Sequence, residues 1–154
     1  MKEIQLYHGE ITLVDDDIYD YANRFKWHLN GDGYVVMSVK TVQGWRSHFL
    51  HRLVMHAVPG MEVDHTNQNL LDNRRENLRW CTRSQNCAHK KKKIGCLSQY
   101  KGVHLDKRRN VWQAYIKVNQ RNIFLGLFKN EMEAARIYDK ATKQYFGEFA
   151  LTNF

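Results

Sequence analysis

Residues 63–86 gather the side-chain types that phosphodiester chemistry uses: Asp64 and His65 side by side, then Asn77, then Asn86. Hydrolysing such a linkage requires a deprotonated water on one side of phosphorus and stabilised charge on the departing 3′ oxygen on the other. A histidine can take the proton. A hard divalent cation, held by a carboxylate and an amide oxygen, can steady the departing oxygen. The imidazole also needs one tautomer and one orientation, which a side-chain carbonyl accepting from its second nitrogen supplies. These requirements make His65 the candidate general base, Asn77 its orienter, and Asp64 and Asn86 the candidate metal ligands. Taken singly, a histidine after a strand and asparagines in loops are ordinary structural residues, so the types alone leave that reading open.

Positioning them takes a strand ending at His65, a polar loop over 66–75, a return strand over 77–82 and a helix over 84–91, with Ser84 a suitable N-cap. Upstream, residues 4–50 read as short strands and turns. Within them Asp15, Asp16 and Asp17 can cap a brief helix over 18–25, and strands at 34–39 and 45–50 flank Gln43-Gly44 as a hairpin. Leu50, Leu53, Val54 and Ala57 have helical spacing, and Pro59-Gly60 stops that helix. Cys81, Cys87, His89 and Cys96 lack the paired Cys-x-x-Cys spacing of a zinc site, so zinc is not expected. His89, three residues after Asn86, is a secondary candidate for an extra ligand on the same helical side.

The chain has 154 residues and a formal net charge of +8, which favours a polyanionic partner. Residues 94–154 carry ten Lys and Arg against five Asp and Glu, whereas 1–93 carry fourteen against eleven, so the shorter C-terminal part is the more basic. No apolar run is long enough for a membrane span, and the first residues lack the apolar block of a secretory signal. A cytoplasmic, non-secreted protein with reduced thiols and no membrane partner is expected. In the C-terminal part, strand-like pieces at 100–105, 111–118 and 122–128 alternate with polar turns. A helix over 131–146 follows, with Asn130 and Glu133 spaced as a capping box and Gly147 at its end. Ala134, Ile137, Tyr138, Ala141 and Tyr145 form its expected apolar stripe. Trp112, Ala114, Ile116 and Val118 share the strand face that must meet this helix, which leaves Gln113, Tyr115 and Lys117 on the other.

Leu50-His51-Arg52-Leu53-Val54, Val63-Asp64-His65, Leu71-Asp72-Asn73-Arg74, Glu76-Asn77-Leu78-Arg79-Trp80 and Ser84-Gln85-Asn86 closely resemble the HNH endonucleases of phages and mobile introns, in the subgroup whose last histidine is an asparagine. The resemblance implies a ββα-metal (His-Me finger) fold, cleavage dependent on Mg²⁺ or Mn²⁺, and the four roles assigned above. Farther on, Tyr100-Lys101-Gly102-Val103, Trp112, Ile116, Phe124-Leu125-Gly126, Phe128, Glu133-Ala134-Ala135, Tyr138-Asp139, Phe146-Gly147 and Asn153-Phe154 look like the APETALA-type (ethylene-response-factor) DNA-binding domain. That family's three-stranded sheet reads the major groove. By position, the resemblance makes Lys101, His104, Tyr115, Lys117, Asn122 and Phe124 the candidate DNA contacts. Lys117 cannot reproduce the guanine-clamping fork of an arginine, so no base preference is carried over.

The expected fold class is therefore α+β. A ββα-metal nuclease module with a β-rich lead-in occupies residues 1–93, a linker 94–97, and a three-stranded antiparallel sheet packed on one helix 98–154. The expected activity is that of a phage homing-type or nicking endonuclease acting on double-stranded DNA as a monomer or weak dimer. The alternative is a DNA-binding regulator or structural protein whose nuclease fold is catalytically silent.

Overall fold

A computed structural model describes residues 1–92, Gly95 and 97–154. Of the expected linker, Ile94 and Cys96 lie outside the described residues. The chain forms two compact units, Met1–Cys81 and Thr82–Phe154. Both mix α and β, and among the described residues the strand pairs are antiparallel.

In the first unit, β1 (Lys2–Gln5) pairs with β2 (Ile11–Val14), and helix α1 (Asp16–Ala22) follows. Strands β3 (His28–Leu29), β4 (Val35–Thr41) and β5 (Gly44–Phe49) form a sheet in that order and lead into α2 (Leu50–Val54). A final hairpin joins β6 (Glu62–His65) to β7 (Leu78–Cys81). Ile4, Val14, Trp27, Val35, Leu50, Val54 and Val63 make the core beneath these elements. The Trp27 indole N–H donates to the Ala22 carbonyl at 2.8 Å, which satisfies both polar groups inside that core.

Two helices end earlier than their apolar spacing suggests. The helix expected over 18–25 stops at Ala22, and no aspartate side chain caps it. Asp15 instead accepts from the Arg75 backbone N–H at 2.9 Å, and Asp17 pairs with the Arg75 guanidinium at 2.8 Å. That contact spans 60 residues and competes successfully with the local cap. The helix expected from residue 50 to 58 ends at Val54. His56 turns left-handed at φ 49°, while Arg52 donates to the Val58 and Met61 carbonyls at 3.2 and 2.8 Å and draws the chain off the helical path.

The second unit begins with α3 (Arg83–His89). Its N-cap is Thr82, not Ser84: Thr82 and Gln85 exchange side-chain-to-backbone hydrogen bonds in a full capping box. The Ser84 hydroxyl accepts from the Asn119 backbone N–H at 3.0 Å instead. Strands β8 (Val103–Asp106), β9 (Val111–Val118) and β10 (Arg121–Phe128) form a sheet with β9 central, and α4 (Glu131–Phe146) lies against it. Asn130 caps α4 by accepting from Met132 N–H at 2.8 Å, while Glu131 accepts from Gln99 N–H at 3.1 Å. The buried stripe of α4 differs in part from the expected one. Ile137 and Tyr145 are exposed, whereas Ala134, Ala135, Tyr138, Ala141 and Phe146 face inward. Ala134 and Ala135 pack against Val103 and Ala114 in the core of this unit.

Candidate active site and nucleic-acid interface

Antiparallel pairing of β6 with β7 sets Asp64 opposite Arg79 and His65 opposite Leu78. The Asp64 carboxylate is buried, and the Arg79 guanidinium meets its Oδ2 with two nitrogens, each at 2.9 Å. His65, also buried, closes the strand. Its Nε2 lies 3.1 Å from Oδ1 of Asn73. The Asn73 amide donates to the Thr12 hydroxyl at 2.8 Å and to the Leu70 carbonyl at 3.2 Å, and the Thr12 hydroxyl donates onward to Leu71 O at 2.7 Å. With both amide hydrogens committed, Asn73 can present only its oxygen to the ring. Nε2 therefore carries the proton, and Nδ1 is left as the basic nitrogen.

The orienting carbonyl thus comes from Asn73, whereas the expectation assigned it to Asn77. The Asn77 side chain braces the loop: its Oδ1 accepts from Asn67 N–H at 2.9 Å, and its Nδ2 donates to Asp72 O at 2.8 Å. Asp72 is clamped by Arg74 through contacts of 2.7 and 2.8 Å, and that guanidinium holds the carboxyl below its ordinary range. Strand β2 supports the same loop, since Leu13 N–H donates to Leu71 O and Asn73 N–H to Leu13 O, at 2.8 and 2.9 Å. An Asn-rich loop with Asp72 and Arg74 carries no local rule that says which amide will face the histidine.

The sequence reading included His51 in the HNH-like segment but gave it no role. On α2 its ring stands edge-on to that of His65 with centroids 5.1 Å apart, within a cluster completed by Tyr34 and Phe49. Burial pushes His51 down to about 3, with smaller effects from His65 and Arg52. Burial likewise lowers His65, opposed by its bond to Asn73 and by the carboxylates of Asp64 and Asp72. His65 therefore stays neutral, and able to accept a proton, below the usual histidine range. A stability prediction follows for His51. The unfolded chain protonates this residue near pH 6.5 and the folded one near 3, so unfolding takes up a proton in that window. Stability should fall as pH drops from about 6.5 towards 3. Urea titrations across this range should show a shallower decline for His51→Phe; an unchanged slope would remove His51 as its source.

In the second unit, antiparallel register places Lys117 opposite Asn122, Tyr115 opposite Phe124, and His104 opposite Gln113, all on one face of the sheet. Tyr115 lies between His104 and Phe124, with ring centroids at 6.3 and 5.1 Å. His104, Lys117, Asn122 and Phe124 are exposed. Lys101 borders the same cleft as His104, Tyr115, Lys117 and Asn122, but its ammonium is already engaged: it donates to the carbonyls of Ala88 and Lys90 at the C-terminal end of α3, the latter at 2.7 Å. Burial lowers its pKa to about 8. It serves as a helix C-cap, which the favourable interaction of a cation with a helix C-terminus explains. Asn86, the remaining expected ligand, sits in α3, and its backbone N–H donates to Thr82 O at 3.0 Å.

Comparison with known proteins fits this geometry. A family model described as HNH endonuclease matches residues 48–88, which include α2, the β6–β7 hairpin and most of α3. An uncharacterized HNH endonuclease of Acanthamoeba polyphaga mimivirus is 30% identical over 147 residues, covering 94% of this chain and 75% of that relative. A second from the same virus is 28% identical over 136 residues, covering 83% of this chain and 40% of the other. The APETALA2-like protein 2 of Oryza sativa subsp. indica is 42% identical over 59 residues, or 37% of this chain and 13% of that protein. Since the first relative is matched along most of both chains and the family pattern falls on the segment carrying Asp64, His65 and Asn77, the chain belongs to the HNH endonucleases.

Proposed function

We propose that the protein nicks duplex DNA by metal-dependent phosphodiester hydrolysis, with His65 as general base. The observation that carries this reading is the 3.1 Å contact between Oδ1 of Asn73 and Nε2 of buried His65, the residue that follows Asp64 at the end of β6. The donors suit a hard divalent cation such as Mg²⁺ or Mn²⁺, because Asp64 offers a buried carboxylate and Asn86 an amide oxygen. When bound by Asp64 and Asn86, such an ion would stabilise charge on the departing oxygen. Nδ1 of His65 takes a proton from the attacking water, and Asn73 keeps the ring aimed while that happens. Arg79 shares the Asp64 carboxylate and fixes its orientation. The products are a 5′ phosphate and a 3′ hydroxyl, and one base acts on one strand at a time.

By function, residues 1–93 are the nuclease, of ββα-metal type, and 98–154 an APETALA-type duplex reader. His104, Tyr115, Lys117, Asn122 and Phe124 form the reader's contact face. The proposed setting is the cytoplasm of a host cell, in the manner of a phage homing enzyme. Supercoiled-plasmid relaxation tests the proposal. Wild type should nick in Mg²⁺ and stop on chelation, and Asp64→Asn and Asn86→Ala should each cut at least about a hundredfold more slowly, because a bound ion contributes several kcal/mol. Nicking that survives chelation, or that Asp64→Asn leaves at the wild-type rate, would sink it.

A further inference from the structure

Beyond Met37 and His48 the β4–β5 hairpin is a two-stranded ribbon with exposed residues on both faces. Val42 at its tip is fully exposed, Trp45 is 71% exposed and Val39 40%. Strand pairing places Lys40 beside Trp45 on one face and Val39 beside Arg46 on the other. The tip is stiff. Gly44 adopts φ 111°, Thr41 Oγ1 donates to Gly44 O at 2.8 Å, and Arg46 donates to the Gln43 side-chain oxygen. Among the described residues the Lys40 ammonium has no hydrogen-bond or ion-pair partner. Between Asp32 and Glu62 the chain contains no acidic residue, although it contains Lys40, Arg46, Arg52 and three histidines. A groove of about 360 Å³ at the ribbon's base is lined by His48, Arg52 and His56 among others.

We infer that this ribbon is a second duplex-DNA-binding element, an arm that enters the major groove with Lys40 and Arg46 on the phosphates and Trp45 and Val42 against the base edges. The inference deepens the nuclease reading, on which its choice of DNA rests. Dimensions support the groove assigned. Strands about 4.8 Å apart with their side chains fit a groove about 12 Å wide and not one of about 6 Å. The five steps from Met37 to Val42, at about 3.3 Å each, exceed the roughly 8.5 Å depth of the major groove. An arm without carboxylates can lie along phosphates with no like-charge penalty, and the exposed aromatic and aliphatic groups at its tip would lose water on insertion. A membrane or a second copy of the chain would accept the apolar tip too, but the cationic flanks match a polyanion whose grooves fit the arm.

Binding of the full chain to a labelled duplex, measured by anisotropy in chelator over a range of salt, tests the arm without requiring cleavage. Lys40→Glu/Arg46→Glu should weaken binding tenfold or more. Lys40→Ala/Arg46→Ala should reduce the salt slope by about 2, since each neutralised phosphate contributes about 0.9. Trp45→Ala should weaken binding about fivefold, as desolvated aromatic anchors do. Unfolding midpoints close to wild type are expected, because these side chains are exposed. Unchanged affinity and slope would overturn the arm, as would tighter binding to single-stranded RNA than to duplex. So would a dimer that Trp45→Ala dissociates without loss of DNA affinity. If the wild type binds duplex through the ribbon yet never nicks, the hydrolytic reading fails and the arm stands; if it nicks while the ribbon variants bind normally, the reverse holds.

Discussion

His65→Ala is expected to lower the rate of plasmid nicking by about 10²–10⁴-fold, the range typical for loss of a positioned general base, while leaving duplex affinity in chelator unchanged. The expectation rests on the Nε2 to Asn73 bond, which leaves Nδ1 as the one basic nitrogen of a buried, neutral ring. Asn73→Ala should produce a smaller loss and should alter the acidic limb of the pH–rate profile. It removes a hydrogen bond that raises the His65 pKa and so should move that limb to lower pH. Asn77→Ala should act on stability instead, costing about 1–3 kcal/mol, because Asn77 braces the loop between Asn67 and Asp72 and leaves polar groups unsatisfied when lost. Its pH–rate profile should keep the wild-type shape. Wild-type nicking by His65→Ala, or a shifted profile for Asn77→Ala with none for Asn73→Ala, would reject these assignments.

Gly102→Ala is expected to destabilise the second unit by about 2–4 kcal/mol, combining a left-handed backbone with overpacking. Gly102 has φ 74°, and a Cβ there would lie 1.9 Å from Cδ2 of the Tyr138 ring. Neither partner has room to yield. The Gly102 carbonyl accepts from Tyr115 N–H at 2.8 Å, and Tyr138 is buried on α4. Each kcal/mol is worth about 4–8 °C in a domain of this size, so differential scanning calorimetry should show a fall of 10 °C or more, roughly. Tyr138→Ala costs packing by itself, but in the double variant it should recover part of the loss, giving a coupling of about 1–3 kcal/mol. Additive effects, or a midpoint within about 2 °C of wild type for Gly102→Ala, would show that the approach is looser than the structure has it.

Much of this architecture was written in local pattern. The hairpin around Gln43-Gly44, the strand ending at His65, the three C-terminal strands and the bounds of α4 all follow from alternation, turn residues and helical spacing, which act within a few residues. The chemistry-bearing pair Asp64-His65 was legible for the same reason, since adjacent residues at a strand end need no tertiary knowledge to be placed.

What the tertiary structure decided were choices among chemically equivalent partners. Asn73 rather than Asn77 faces His65 because Thr12, 61 residues away, and the Leu70 carbonyl each accept from the Asn73 amide nitrogen, which turns its oxygen to the ring. The Lys101 ammonium is committed within the protein because the carbonyls of Ala88 and Lys90 bind it. Asp15 gives up its helix for Arg75. In each case the sequence names a donor or an acceptor, and only the packing of distant segments determines which complementary group comes within hydrogen-bonding range.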